Sequence, residues 1–287
     1  MSESDQQFPA QQQQPPGLTE PMHPAPDHGE SSYQGSGLLS GRKALITGGD
    51  SGIGRAVAIA FAREDADVAI VFLPEEKEDA DETAQWVERA GRRCILVPAD
   101  LRDEDEARGA VRSAASELGG LDILVNNAGY QWARRDSVAD ITTDDLDRVF
   151  KTNLYALFWV TQTALEHLGE GSSIINVSSI QAYQPSESLL DYASTKAAIN
   201  NFTVNLAGEL GARGIRVNAV APGPIWTPLQ PATQPEAKIE KFGADTPLGR
   251  AGQPAEVAPA FVFLAASSTA SYVSGTVIGV TGGKPVF

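Results

Sequence analysis

The sequence predicts a single α/β domain built on a doubly wound parallel sheet, and three observations carry that expectation. The chain has 287 residues, 42% apolar and 21% charged, a length and composition suited to one large folded domain or two small ones. From Lys43 onward, short β-branched apolar runs alternate with longer stretches of helical periodicity, the pattern of βαβ units. A glycine-rich turn, Thr47-Gly48-Gly49-Asp50-Ser51-Gly52-Ile53-Gly54, joins the first run to the first helical stretch. In such sheets ligands bind in the crevice beyond the strands' carboxyl ends.

Residues 1–40 precede the first strand. They hold five acidic residues, six prolines, the run Gln11 to Gln14 and no Lys or Arg, a composition that buries too little apolar surface to offset its ordering entropy. A mostly disordered N-terminal arm is expected there, with Met22, Tyr33, Leu38 and Leu39 as candidate anchors. Removal of residues 1–19 is expected to change neither fold nor activity. The domain proper is expected over 41–287, where 22 basic residues face 32 acidic ones.

Strands are expected near 43–47, 67–72, 93–97, 121–126, 172–178, 214–220 and 275–280. Helices are expected over 52–63, 77–90, 103–118, 143–168, 191–211 and 254–266, several opening with Ser, Thr or Asp. Right-handed crossovers then line the strands' carboxyl ends along one edge. Asp65 stands where a glycine would ordinarily close the first helix.

Composition also excludes. A formal charge of −15 argues against nucleic acid and anionic membranes as partners, since both need a basic face. No apolar run approaches the roughly 20 residues of a membrane helix. The single cysteine, Cys94, forms no internal disulfide, and three scattered histidines make no zinc pattern. A cytoplasmic, metal-free protein with a small-molecule substrate is the expectation.

Further motifs follow the glycine-rich turn in order: Asp100-Leu101 after the third strand, Asn126-Asn127-Ala128-Gly129 after the fourth, Asn153 within a long helix, Ser178-Ser179 after the fifth strand, Tyr192-Ala-Ser-Thr-Lys196, and Pro222-Gly223-Pro224-Ile225-Trp226-Thr227 after the sixth. Any one of them alone is ambiguous. Asp100 by itself would read as a helix cap, Asn126 and Asn127 as structural, and Tyr-x-x-x-Lys as an ordinary amphipathic helix. Together, across 41–287, they resemble the short-chain dehydrogenase/reductase family, whose fold is Rossmann-like. The segment TGGDSGIGRAVAIAFARE with its Pro-rich arm is similar to a bacterial subgroup likened to glucose and ribitol dehydrogenases.

The resemblance implies an NAD(P)-dependent oxidoreductase and assigns roles. Tyr192 would be the general acid or base. An ammonium at Lys196, one turn away on the same helix face, and the charge of oxidised nicotinamide would favour its phenolate. Lys196 would also hold the nicotinamide ribose, Ser179 the substrate oxygen, and Asn153 a water that relays protons to Lys196. Gly48, Asp50, Ser51, Gly52, Ile53 and Gly54 would approach the pyrophosphate at a helix N-terminus. Leu73, Asp100 and Leu101 would meet the adenosine, with Asn127, Ala128 and Gly129 bracketing its ribose. Pro222, Gly223, Ile225 and Thr227 would face the nicotinamide.

Cofactor choice has no usual mark. Neither a cation in the glycine-rich turn nor an Asp ending the second strand is present; those places read Asp50-Ser51 and Phe72-Leu73-Pro74-Glu75-Glu76. NAD is expected, with NADP the alternative. The expected reaction interconverts a secondary alcohol and a carbonyl compound, with a polyol or sugar as the expected substrate type. Gln131, Trp132, Gln181, Tyr183, Gln184 and a lid over 224–245 with Trp226 and Leu229 are the candidate substrate walls. Two alternatives are a dinucleotide-sensing protein without catalysis and a 3-ketoacyl reductase, the latter favoured by Arg134 and Arg135 and opposed by the acidic body. Apolar residues around the helices over 143–168 and 191–211 imply pairing between copies, and the resemblance implies a homotetramer.

Overall fold

The computed structural model describes residues 8–287; the first seven, part of the expected arm, lie outside the described residues. Its strands and main helices alternate: β1 (Lys43–Thr47), α1 (Gly52–Arg63), β2 (Asp67–Phe72), α2 (Lys77–Arg89), β3 (Cys94–Pro98), α3 (Glu104–Leu118), β4 (Ile123–Asn126), α4 (Thr143–Phe150), α5 (Ala156–Ala164), β5 (Ser173–Val177), α6 (Leu190–Leu210), β6 (Arg216–Pro222), the short α7 (Leu229–Thr233) and α8 (Glu236–Ile239), α9 (Pro254–Ala265), α10 (Ser267–Ala270) and β7 (Val277–Val280). The strands form one parallel sheet in the order β3-β2-β1-β4-β5-β6-β7. The order in which strands are added reverses between β1 and β4, which run parallel, so their carboxyl ends flank a crevice.

Burial explains why these segments take these forms. Strands β2, β5 and β6 are buried along their whole length, as expected for runs of apolar residues covered on both faces. One face packs α1, α2 and α9 around Ile46, Ile70, Val57, Phe61 and Phe261; the other packs α3, α5 and α6 around Leu45, Leu124, Val111, Val160 and Leu206. Asp103 caps α3 by accepting from the backbone N–H of Asp105 and Glu106. Asp65 adopts φ +72° and closes α1 in the left-handed conformation.

Two expectations are corrected. The helix over 143–168 is interrupted: Lys151–Tyr155 form a π turn between α4 and α5, and α5 ends at Ala164. The larger correction concerns the arm, which over residues 8–40 is packed on the body. Phe8 stacks on Trp226 with ring centroids 3.9 Å apart. Phe8, Met22 and Leu39 are all but inaccessible to solvent. Backbone groups complete the docking: Gln13 N–H donates to Pro231 O (2.9 Å), Trp226 Nε1 to Pro24 O (2.8 Å), and Ala255 N–H to Asp27 O (3.0 Å). Arg63 donates to the carbonyls of Gly29, Glu30 and Tyr33, while Glu64 accepts from Tyr33 Oη, Ser36 and Leu38. Of the anticipated anchors, Leu38 stays exposed and Phe8 takes its place. Composition averages over a segment, whereas docking needs only a few anchors and body side chains that reach its carbonyls. The expected indifference to loss of residues 1–19 does not fit these contacts.

Candidate active site

A cavity of about 240 Å³ opens along the carboxyl ends of the strands. Into its wall the fold brings Gly48, Asp50, Ser51, Gly52, Ile53, Leu73, Asp100, Leu101, Asn127, Ala128, Gly129, Ser179, Tyr192, Lys196, Pro222, Gly223, Ile225 and Thr227. These residues come from six separate strand ends and from the helices α1 and α6. Two expected residues stand behind the wall, Gly54 and Asn153.

The glycine-rich turn is shaped by close approach. Gly48 has φ +60°, and a Cβ on Gly54 would lie 1.9 Å from Gly48 O, so no side chain fits there. Asn127 holds the turn from β4: its Nδ2 donates to Thr47 O (3.0 Å) and Gly48 O (2.7 Å), while Thr47 Oγ1 accepts from the N–H of Asn127 and Ala128. Asn126 bonds Thr161 and Asn176 inside the fold. Ser51 precedes α1 without capping it through its side chain, so the first N–H groups of α1 face the cavity without that partner. A helix N-terminus in this state suits an anion.

At the other end, Ser179 follows β5 and accepts from Gln181 N–H (3.1 Å). Its hydrogen bond to Tyr192 favours the phenolate, but burial outweighs it and pushes the phenol up to about 12. Lys196 is buried behind the Tyr192 ring, Nζ 5.4 Å from its centroid and 2.8 Å from Val177 O. Burial without a carboxylate partner pushes its ammonium down to about 7. Asn153 lies in the π turn, where its Oδ1 accepts from Tyr130 N–H (2.8 Å) and its Nδ2 donates to Tyr130 O (2.9 Å) and Thr195 Oγ1 (3.0 Å). It thereby ties the segment after β4 to α6. The π turn swings this side chain inward; a low-propensity residue in mid-helix was its only trace in the sequence.

Asp100 faces the cavity while Asp103 takes the helix cap. Arg102 holds the Asp100 carboxylate, with Nε at 2.9 and 3.0 Å from its two oxygens, and this contact keeps its pKa below the usual carboxylate range. Several candidate substrate walls have other duties. Trp226 is wholly buried under Phe8, and Gln131 donates to Thr233 Oγ1 (3.1 Å). Arg134 is spent on the carbonyls of Gln234, Pro231, Ala232 and Gln13, and Arg135 pairs with Asp191 at 2.7 Å. Neither arginine is open to an acidic carrier. Residues that went unforeseen at the cavity are Pro16 from the arm, Arg102, Tyr130 and Arg148, while Glu76, in the stretch read for cofactor choice, and Gln230, within the expected lid, line it as well. They come from loops and from the short helices α4 and α7, and their approach to the cavity depends on the whole fold.

A sequence model of the family described as Enoyl-(Acyl carrier protein) reductase matches residues 48–284. The chain belongs to the short-chain dehydrogenase/reductase family. It is 55% identical over 279 residues to the oxidoreductase YghA of Escherichia coli (strain K12), covering 97% of this chain and 94% of that protein. It is 48% identical to a glucose and ribitol dehydrogenase homolog of Oryza sativa subsp. japonica, covering 98% of each. A short-chain dehydrogenase from Burkholderia cenocepacia J2315, solved in complex with NADP, superposes with TM-score 0.79 and 37% identity over 86% of this chain and 99% of that one. This short-chain dehydrogenase/reductase is an NAD(P)-dependent oxidoreductase acting on alcohol and carbonyl groups. Its residues fit the cofactor: an uncapped helix N-terminus beneath a glycine-rich turn for the pyrophosphate, and a buried ammonium at the far end. Among the described residues, no helix is long and apolar enough to cross a membrane, and no group of His, Cys, Asp and Glu could hold a metal ion.

Proposed function

We propose that the protein interconverts a secondary alcohol and the corresponding ketone, with Tyr192 as the proton-transfer group and a polyol or sugar as substrate class. The observation that supports this most is the convergence of Ser179, Tyr192 and Lys196 in one cavity wall, Tyr192 bonded to Ser179 and Lys196 buried behind its ring. The nicotinamide, when bound, supplies or accepts the hydride. In reduction, Ser179 donates a hydrogen bond to the substrate oxygen and Tyr192 delivers the proton that completes the alcohol; in oxidation Tyr192 removes that proton. Lys196 stabilises the phenolate left by the first direction and required by the second. Asn153 positions Tyr130 and Thr195, and Thr195 in turn donates to Tyr192 O at 2.7 Å. The remaining cavity residues, from Gly48 to Thr227, form the dinucleotide site of a domain spanning 41–287.

The polyol assignment draws on the similarity to the rice glucose and ribitol dehydrogenase homolog and on Gln230 and Tyr130 at the cavity. A panel of alcohols, sugars and carbonyl compounds with NAD(H) and NADP(H), followed at the nicotinamide absorbance, tests it. Turnover confined to apolar substrates overturns the substrate class. Dinucleotide binding without any turnover favours a sensor over an enzyme.

The protein is further proposed to act in the cytoplasm as a homotetramer. Tyr155 at the end of the π turn, Phe158 on α5 and Val204 on α6 are about half exposed, an apolar face that a second copy would cover. A monomeric mass by light scattering at micromolar concentration overturns the assembly.

A further inference from the structure

At the end of the cavity away from Tyr192, the acidic residues Asp50 and Glu76 line the wall, and the one guanidinium near Asp50, that of Arg55, makes its ion pairs with Asp79 and Glu82. Asp50 is 2% exposed, and its Oδ2 has no hydrogen-bond partner. Glu76 lines the same wall, accepting Leu73 N–H on Oε2 at 3.2 Å. The position of Asp50 is fixed through its carbonyl, which accepts from Arg55 Nε (2.9 Å) and Thr83 Oγ1 (2.7 Å). Arg55 is otherwise spent on Glu82 and on both the carboxylate and the carbonyl of Asp79. Asp79 also takes the N–H and hydroxyl of Thr19 from the arm. Arg102 is held by Asp100, and Arg148 lies 4.0 Å from the centre of the Tyr130 ring.

A buried acceptor without a partner is costly unless it is protonated or meets a donor. A ribose hydroxyl is such a donor; a 2′-phosphate, carrying about −1.5 to −2 charges, is not. Extending the reading of this cavity as a dinucleotide site, on which the inference rests, we propose that Asp50, supported by Glu76, selects an unphosphorylated adenosine ribose by accepting its 2′-hydroxyl and repelling a 2′-phosphate. The selecting carboxylate then sits in the glycine-rich turn rather than at the end of β2, where no Asp is present. Burial raises both carboxyls: Asp50 to about 6, with Asp79 adding to it and Ser51 and Arg55 opposing it, and Glu76 to about 9, with Asp50 and Asp79 adding to it. Between those two values the pair carries about one negative charge, and that charge is what a 2′-phosphate placed there would meet.

Calorimetric titration of the full-length protein with ADP-ribose, its 2′-phosphate and its 2′-deoxy form reads this without turnover. The wild type should bind ADP-ribose at least about tenfold tighter than the 2′-phosphate, and lose about fivefold with the 2′-deoxy form. Asp50→Asn should narrow the first ratio to under about threefold, and Glu76→Gln should narrow it partway without touching the glycine-rich turn. Equal binding or preference for the 2′-phosphate, through recruitment of Arg102, overturns the proposal. So does a ratio unchanged in both variants, or full affinity for the 2′-deoxy form. If none of the three ligands binds, the dinucleotide reading of the cavity falls, and the selection with it.

Discussion

At the Tyr192 end of the cavity, burial lowers Lys196 to about 7 and raises Tyr192 to about 12; at the Asp50 end it raises Asp50 to about 6 and Glu76 to about 9. The first end holds a cation with no carboxylate beside it, the second two carboxyls with no cation free to join them. The same cause, removal from water, leaves the two ends short of opposite things. One end is built so that proton transfer meets a nearby ammonium. The other is built so that an arriving donor is worth more than an arriving anion.

Tyr192→Phe breaks the comparison at its catalytic end with the largest effect. It keeps the ring and removes the transferable proton, so turnover should fall by about 10³-fold or more while dinucleotide affinity stays within about twofold. Retained turnover above a few per cent would contradict the assignment. Lys196→Ala should cost both, with turnover down by about 10²-fold and binding measurably weaker, because one group serves the phenolate and the ribose. Unchanged affinity in that variant would separate the two roles.

Removal of residues 1–19 reaches the other end. It deletes Phe8, Pro16 and Thr19, hence the stack on Trp226, part of the cavity wall and the contact with Asp79. Burial of Phe8 alone contributes about 2–3 kcal/mol, so the melting temperature should drop by roughly 5 °C or more, with tighter loss at the Asp50 end than at Tyr192. An unchanged melting temperature would show that the docked arm adds nothing to stability.

The smallest effect is in the pH dependence of stability. Asp50 and Glu76 hold protons more tightly folded than unfolded, since their values stand above the ordinary 3.8 and 4.5. Their favourable contribution is therefore present below those ordinary values and is lost as pH rises through about 6 for Asp50 and about 9 for Glu76. Glu76→Gln should melt progressively higher than wild type between pH 6 and pH 9, the gap widening with pH. A gap constant across that range would remove Glu76 from the buried pair.

The order of strands and helices and the place of the crevice were legible because each rests on short-range signals, alternating apolar runs and turn glycines, and the clustering of Gly48, Asn127, Ser179, Tyr192 and Lys196 was legible only through the resemblance that their ordered motifs carry. Residue type and spacing carry that information locally. The π turn at Asn153, the docking of residues 8–40, the burial of Trp226 under Phe8, the diversion of Arg134 to lid carbonyls and the meeting of Asp50 with Glu76 were decided only by tertiary structure. Each joins segments far apart in the chain or depends on how deeply a group is removed from water, and neither distance nor dielectric is written in any local stretch of sequence.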